Sequence, residues 1–337
     1  MRWNKLLGFY MAKLLLLYIA LILSASPMAA QAAGKKLHKH PSASKKHVIT
    51  QDNSSNIQVH HRLQASRSLN VYATAYDGKG TLQLASSKVL VINQTTGATL
   101  YAKNTNQSTP IASVTKLMTA MVMLDAQLPM DDVLSIADQD VDYLKVTHSR
   151  LNVGTSLTRA DLLQLALMSS ENRAASALAH NYPGGINAFV HAMNQKAEQL
   201  GMKSTHFFDA TGLDSNNVST AEDLARMVNA AYHYPEIRQV TTTASQSYNL
   251  NGHRNPLNFV NTNALVRNGN WVIGLSKTGF INEAGRCLVM QAEISNQPVI
   301  IVLLDSVGKM TRIADANRIR KWIERNDANS LGGNVTS

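Results

Sequence analysis

The sequence holds a single cysteine, Cys287, which excludes an internal disulfide, so the fold must stand on its core. No cysteine lies in the N-terminal region, which excludes lipid attachment there. Cys287 sits in Arg286-Cys287-Leu288-Val289-Met290, a strand-like run that predicts a buried structural thiol rather than a nucleophile. Aromatic residues are sparse at 6%, and charged residues make up only 16%. Acids are nearly missing from the first seventy residues: ten Lys/Arg stand there against Asp52 alone. Nine of the ten net positive charges therefore lie before Val71, and the rest of the chain is close to neutral, which removes support for nucleic-acid binding by a folded part. His38, His40, His47, His60 and His61 have no acidic or cysteine partners nearby in sequence and read as incidental rather than metal-binding. No internal repeat is visible, and beyond the N-terminus no run is apolar enough to cross a bilayer.

Arg2, Lys5 and Lys13 precede an unbroken apolar stretch, Leu14 to Leu23, and Ala30-Gln31-Ala32 supplies small residues for cleavage. The stretch is short for a span, which predicts a cleaved signal peptide over residues 1–32 rather than an uncleaved anchor, and hence export to the periplasm. Residues 33–70 are rich in Lys, His, Ser, Gln and Asn without apolar period and read as a disordered basic tether. Such a tether can touch an anionic membrane surface or wall polymer loosely, and a solvated spacer is an equal reading. Residues 71–326 form the expected domain, followed by a polar tail at 327–337.

Lys88 to Asn93 reads as a buried strand, Thr95-Thr96-Gly97 as a turn and Thr99 to Ala102 as the returning strand. Ser113 to Gln127 is apolar nearly all round, which predicts a central buried helix. Further helices are predicted from Thr158 to Leu167, Asn172 to His180, Ile186 to Leu200 with a stop at Gly201, and Ser219 to Tyr232 with Ser219 and Glu222 as a capping box. Strands return at Val240–Ser245, Gly274–Thr278, Cys287–Ile294 and Val299–Leu304, before a last helix from Thr311 to Arg325. Strands at both ends with helices between predict an α+β (α/β-class) fold: an antiparallel sheet flanked by helices, with a helical lobe inserted beside it. A cleft between sheet and lobe is a natural place for a site.

Three short motifs carry chemistry. Ser113 and Lys116 are three apart at a helix start and share a face. A lysine with a depressed pKa can take a serine proton. Taken alone the pair fits an ordinary N-cap serine beside a snorkelling lysine, and Ser42…Lys45 and Ser306…Lys309 have the same spacing. Ser170-Glu171-Asn172 lies between two predicted helices, where an inter-helix turn is the plain reading. Lys277-Thr278-Gly279 ends a predicted strand and occurs once. A cation, a hydroxyl and a residue without a side chain suit a carboxylate-bearing substrate lying alongside, with Gly279 permitting close approach of its backbone.

In this order, Ser-x-x-Lys, Ser-x-Asn and Lys-Thr-Gly form the three-part pattern of penicillin-binding proteins and serine β-lactamases. From about Leu82 to Arg325 the chain resembles the low-molecular-mass D,D-peptidases. Leu167 to Ala175, Phe208-Asp209-Ala210-Thr211-Gly212-Leu213 and Ser219 to Ala225 carry that likeness. Lys277-Thr278-Gly279-Phe280 and Asn282 to Met290 are similar to the D-alanyl-D-alanine endopeptidase branch, penicillin-binding proteins 7 and 8. The resemblance implies the β-lactamase/D,D-peptidase-like fold and a serine hydrolase cutting D-alanyl cross-links between peptidoglycan stem peptides, with β-lactams as acylating inhibitors. It implies that Ser113 is acylated, Lys116 acts as base, Ser170 relays a proton to the leaving amine and Asn172 holds the substrate backbone. Lys277 and Thr278 would bind the carboxylate beside Gly279, and the N–H groups of Ser113 and Phe280 would form the oxyanion hole. Some relatives have a hydroxyl residue where Phe280 stands.

The same clamp suits a D-alanyl-D-alanine carboxypeptidase. Relatives of that type usually add a β-rich domain and an amphipathic anchor, whereas here one helix and a short tail follow, which favours the endopeptidase. A β-lactamase would need a glutamate followed four residues later by asparagine. Glu171, Glu198, Glu222 and Glu236 are followed by Ala175, Met202, Arg226 and Val240 instead. A non-catalytic wall-binding protein would have no need of all three motifs. No metal or organic cofactor is called for, and stem-peptide chemistry and oligomeric state stay open.

Overall fold

The computed structural model describes residues 82–143, 145–250 and 254–332, with side chains as far as residue 327. The expected signal peptide and tether lie outside the described residues. Strand β1 (Lys88–Asn93) turns into β2 (Thr99–Lys103). Asn93 Oδ1 accepts the N–H groups of Thr95 and Thr96, both at 3.0 Å, and Gly97 takes a φ of +71°, so an Asx turn and a left-handed glycine close the hairpin. After the short β3 (Thr109–Pro110) comes a 3₁₀ turn, Ala112–Thr115, that runs into helix α1 (Lys116–Asp125). Every side chain of α1 from Lys116 to Met123 is buried, as an all-round apolar helix requires.

The lobe continues through β4 (Val133–Ser135), β5 (Ser156–Thr158), α2 (Arg159–Met168), α3 (Asn172–His180) and α4 (Gly185–Gln199). Thr158 caps α2 as expected, its hydroxyl accepting the Asp161 N–H at 3.1 Å. Next come β6 (Val218–Ser219), α5 (Ala221–Ala231), α6 (Pro235–Thr242), β7 (Ser245–Tyr248), β8 (Leu257–Val260) and α7 (Ala264–Arg267). The chain ends its described course with β9 (Val272–Ile281), β10 (Gly285–Ile294), β11 (Gln297–Ser306) and α8 (Thr311–Gly332).

The main sheet has the order β2-β1-β11-β10-β9, antiparallel throughout. Strands β10 and β11 are covered on both faces, which explains their unbroken apolar runs. Leu90, Cys287, Val289, Ile300 and Val302 point toward the lobe, in one core with α1 and α2. Val89, Leu288, Met290, Ile301 and Leu303 point the other way and pack with Ala316, Ile319 and Ile323 of α8. Strand β9 is an edge, and its lobe-facing side lies against the 3₁₀ turn that carries Ser113. Burial pushes the Cys287 thiol up to about 11, in keeping with a structural, unreactive role. Among the described residues no helix is long and apolar enough to cross a membrane.

Four local expectations change. The strand expected at Val240–Ser245 is the end of α6 followed by β7. Pro235 opens that helix at its first turn, and Ile237, Val240 and Thr241 turn inward, so packing overrides the β-branched run. The cap of α5 is Thr220, whose hydroxyl accepts the Asp223 N–H at 3.1 Å, while Ser219 is already paired with Thr109 in a strand. Lys277-Thr278-Gly279 lies inside β9 rather than at its end. Helix α8 continues past Arg325 to Gly332, because no proline interrupts it before the glycine pair 332–333.

Candidate active site

Ser113 sits in the 3₁₀ turn one residue after Ala112, which has a φ of +48°. An alanine in the left-handed region is strained, and the surroundings hold it there. Gly212 (φ +81°) lies so close that a Cβ on it would fall 1.9 Å from the Ala112 carbonyl oxygen. On the other side, a Cβ on Gly279 would come to 2.9 Å from Ile111 O and 3.2 Å from Ser113 N. The absent side chain at Gly279 thus admits the chain's own nucleophile-bearing turn against β9, a reason different from the substrate approach expected from sequence.

Lys116 is fully buried and does not snorkel. Its Nζ lies 2.9 Å from Ser113 Oγ and donates to Asn172 Oδ1 and the Thr211 carbonyl, both at 2.7 Å. Burial pulls this amine down to about 7, against the opposing pull of Asp209 and Glu171. The Thr211 carbonyl is aimed by a loop that Asp209 ties together. Asp209 Oδ1 accepts the Gly212 N–H at 2.8 Å and Asn217 Nδ2 at 2.7 Å. Asn217, fully buried, also donates to Thr115 Oγ1 at 3.1 Å and so joins this loop to the helix start.

Ser170 and Asn172 flank the turn between α2 and α3. Ser170 also carries a left-handed backbone, φ +63°. Its hydroxyl accepts from Lys277 Nζ at 2.8 Å, across the cleft from β9. Lys277 is 1% exposed, and its Nζ also reaches Thr278 O at 3.0 Å. Burial first, then the charges of Lys116 and Arg312, hold Lys277 well below the ordinary lysine range. Thr278 Oγ1 donates to Thr262 Oγ1 at 2.6 Å. Phe280 is about half exposed, with the Arg286 guanidinium 4.3 Å from its ring centre. Together Ser113, Ser170, Thr262, Thr278, Phe280 and Arg312 line an open groove of about 240 Å³.

All eight residues singled out from sequence are therefore brought together, around one hydroxyl. Asp209, Thr211 and Gly212 entered the sequence reading only within a stretch that carries the family likeness and were given no role, although Asp-x-Thr-Gly is turn chemistry. Sequence reading passed over Thr262 and Arg312. Arg312 stands at the start of α8 with NH1 3.4 Å from Gly279 O, and its buried Nε has no partner among the described residues. No sequence signal marks Thr262 or Arg312, since their place depends on how β8, β9 and α8 converge. Among the described residues no group of three or more His, Cys, Asp or Glu is placed to hold a metal ion.

Comparison with known proteins points the same way. The profile of a family described as D-alanyl-D-alanine carboxypeptidase matches residues 73–308. The chain is 51% identical over 249 residues to a D-alanyl-D-alanine endopeptidase of Pseudomonas aeruginosa, covering 74% of this chain and 80% of that protein. It is 47% identical over 242 residues to a D-alanyl-D-alanine endopeptidase of Escherichia coli, covering 72% and 78%. A crystal structure of a DD-transpeptidase of Streptomyces superposes with a TM-score of 0.66 at 30% identity, covering 71% of this chain and 97% of that one. The fold is the one these D,D-peptidases share.

Proposed function

The chain belongs to the D-alanyl-D-alanine carboxypeptidase family of serine peptidases, and from that premise we propose that it is a D,D-endopeptidase opening D-alanyl cross-links in peptidoglycan through an acyl-enzyme on Ser113. The observation that carries the reading is the buried Lys116 amine, near pKa 7, at 2.9 Å from the Ser113 hydroxyl. In its neutral form this amine has two N–H groups, and two acceptors wait for them: Asn172 Oδ1 and Thr211 O. The lone pair is left for the Ser113 proton. As the serine oxygen attacks, the N–H groups of Ser113 and Phe280 receive the carbonyl oxygen, each such donor stabilising the transition state by about 3 kcal/mol. The C–N bond then breaks, and the leaving amine takes its proton through Ser170, which Lys277 holds at 2.8 Å. Gly279 keeps β9 against the reacting turn. Asn172 holds the substrate backbone, while Lys277, Thr278 and Arg312 bind the carboxylate of the leaving residue. Lys116 and Arg312 both disfavour the charged form of Lys277, so a substrate carboxylate at this end of the groove supplies the missing counter-charge. β-Lactams enter as substrate mimics and stop at the acyl stage.

Endopeptidase rather than carboxypeptidase action is supported by the names of the relatives at 51% and 47% identity. The carboxypeptidase reading keeps a place because the clamp would recognise a carboxylate that both leaving groups carry. Purified cross-linked and uncross-linked muropeptides separate them by product mass. Cross-linked dimers are expected to fall to monomers, with Ser113→Ala protein inactive; release of terminal D-Ala alone sinks the endopeptidase reading. The reading includes export to the periplasm by a signal peptide at residues 1–32, with residues 71–326 as the catalytic domain. Mass analysis of the protein recovered from the periplasm tests the cleavage.

Two lysines with opposite requirements make the pH profile informative. Lys116 must be neutral, so the acylation rate is expected to rise with pH and level off above about 7. Lys277 must be charged, so the rate falls again on an alkaline limb below the ordinary lysine value of 10.5. Stopped-flow acylation by a fluorescent penicillin from pH 5 to 10 checks both limbs. A flat profile across neutrality removes Lys116 as base.

A further inference from the structure

Two local rules are broken in the turn between α2 and α3. Ser170 has a φ of +63°, in the left-handed region that glycine usually fills after a helix. Glu171 stands at the N-cap of α3, where Ser, Thr, Asp or Asn is the usual choice, and its side chain makes no cap hydrogen bond. The carboxylate turns the other way, into the loop that holds Ser149 and Arg150. Its Oε2 accepts the Ser149 hydroxyl at 2.7 Å, and its Oε1 lies 3.6 Å from Arg150 NH2. The Glu171 side chain is only 9% exposed. Arg150 is fixed in turn. Its guanidinium lies 3.7 Å from the centre of the Phe259 ring, and NH1 donates to the Asn258 carbonyl at 2.8 Å. Three residues beyond Phe259, the Thr262 N–H donates to Met168 O at 3.0 Å, so β8 and the segment after it are clamped on the end of α2. A buried carboxylate paired at both oxygens compensates for a turn whose own residues do not favour it.

Resting on the D,D-peptidase reading, we propose that Glu171 is a positioning residue for the acylation of Ser113: anchored on Ser149 and Arg150, it holds the turn so that the Ser170 hydroxyl meets Lys277 and the Asn172 side chain meets Lys116. The backbone makes the link direct. The residues on either side of Glu171 send their side chains to the two buried amines, Ser170 Oγ at 2.8 Å from Lys277 Nζ and Asn172 Oδ1 at 2.7 Å from Lys116 Nζ. A rotation of this turn moves both contacts at once. Charge supplies a second link. The charged groups facing the two amines are Asp209 from its loop, Glu171 with Arg150 behind it, and Arg312 from α8. Asp209 and Glu171 favour the ammonium form of Lys116 against its burial. Losing the Glu171 charge therefore lets Lys116 shed its proton at a lower pH.

The test is stopped-flow acylation of the full-length protein by a fluorescent penicillin from pH 5 to 10, with thermal melting alongside. Glu171→Gln keeps the shape and the acceptor for Ser149 but not the charge. Its acid limb should move to lower pH, so that at pH 6 it reaches about three times the wild-type fraction of its own plateau rate. Glu171→Ala removes the anchor as well, and its plateau should fall about a hundredfold, the cost of a misplacement of about 1 Å at the reacting centre. Ser149→Ala keeps the charge and loosens the anchor. Its plateau should fall about fivefold, the worth of one hydrogen bond, with the acid limb unmoved. A Glu171→Gln limb that coincides with wild type overturns the proposal, and so does a Glu171→Ala plateau within about threefold of wild type. If Glu171→Ala does not fold, the other two variants decide: an unmoved limb in Glu171→Gln or an unchanged plateau in Ser149→Ala overturns it. An equal shift of the limb in Ser149→Ala would assign the shift to disturbed packing and also overturns it. Failure of penicillin to acylate wild type would overturn the D,D-peptidase reading itself.

Discussion

Replacing Lys116 with methionine is expected to slow acylation of Ser113 by about four orders of magnitude, the upper end of what a general base contributes. Methionine keeps the length and lack of branching of the lysine stem, so the core around α1 stays filled. What disappears is the only amine within reach of Ser113 Oγ among the described residues, and with it the donor shared by Asn172 Oδ1 and Thr211 O. The two acceptors left behind cost about 1–3 kcal/mol each where water cannot replace the donor, an offset to the desolvation that the amine no longer suffers. Thermal melting should therefore move modestly while the acylation rate collapses. The measurement is labelling by a fluorescent penicillin followed from milliseconds to hours. A rate within tenfold of wild type would mean that another group takes the serine proton.

Gly212→Ala is expected to be the most damaging small substitution in the lobe. Its Cβ would fall 1.9 Å from the Ala112 carbonyl oxygen, a backbone atom that cannot swing aside, and its φ is +81°. Gly97 provides the control. It has a comparable φ of +71°, yet a Cβ there meets nothing within 4 Å. Gly97→Ala should cost about 1–2 kcal/mol from the left-handed backbone alone. Gly212→Ala should cost upward of about 4 kcal/mol, in the range of a backbone clash within a packed core. For a domain of this size each kcal/mol moves the melting temperature by about 2–4 °C. The two variants should then separate by at least about 4 °C, and only Gly212→Ala should slow acylation, because relief of the clash displaces the turn bearing Ser113. Equal melting temperatures would show that the turn can yield.

The order of three motifs was legible because each writes its chemistry in side chains: a hydroxyl and an amine one turn apart, a polar pair between helices, a cation on a strand. What escaped was carried by other means. Thr211 contributes a backbone carbonyl, which every residue has, so its letter says nothing. Arg150 and Asn258 are joined across 108 positions, a distance that only the docking of β8 on the lobe makes short. The stretch from Val240 to Ser245 looked like strand by composition, and its first three residues became helix because Pro235 fixes the entry and Ile237, Val240 and Thr241 face inward. Ser219 and Thr220 offered two hydroxyl caps in succession, and strand pairing with Thr109 settled which one was free for the helix.

The strand order has a consequence for how the molecule is assembled. Strand β1 is an early part of the described chain, yet it lies between β2 and β11, with Val91 opposite Ile301. Ser86 and Ala85 are stitched to Asp315, more than two hundred positions away, by bonds of 2.7 and 3.3 Å. A growing chain would therefore hold its first hairpin with one long edge bare until the final strand is synthesised. Entropy charges heavily for such a late closure, so refolding should be slow and all-or-none, and a chain cut short before Gln297 should gather into aggregates through that bare edge.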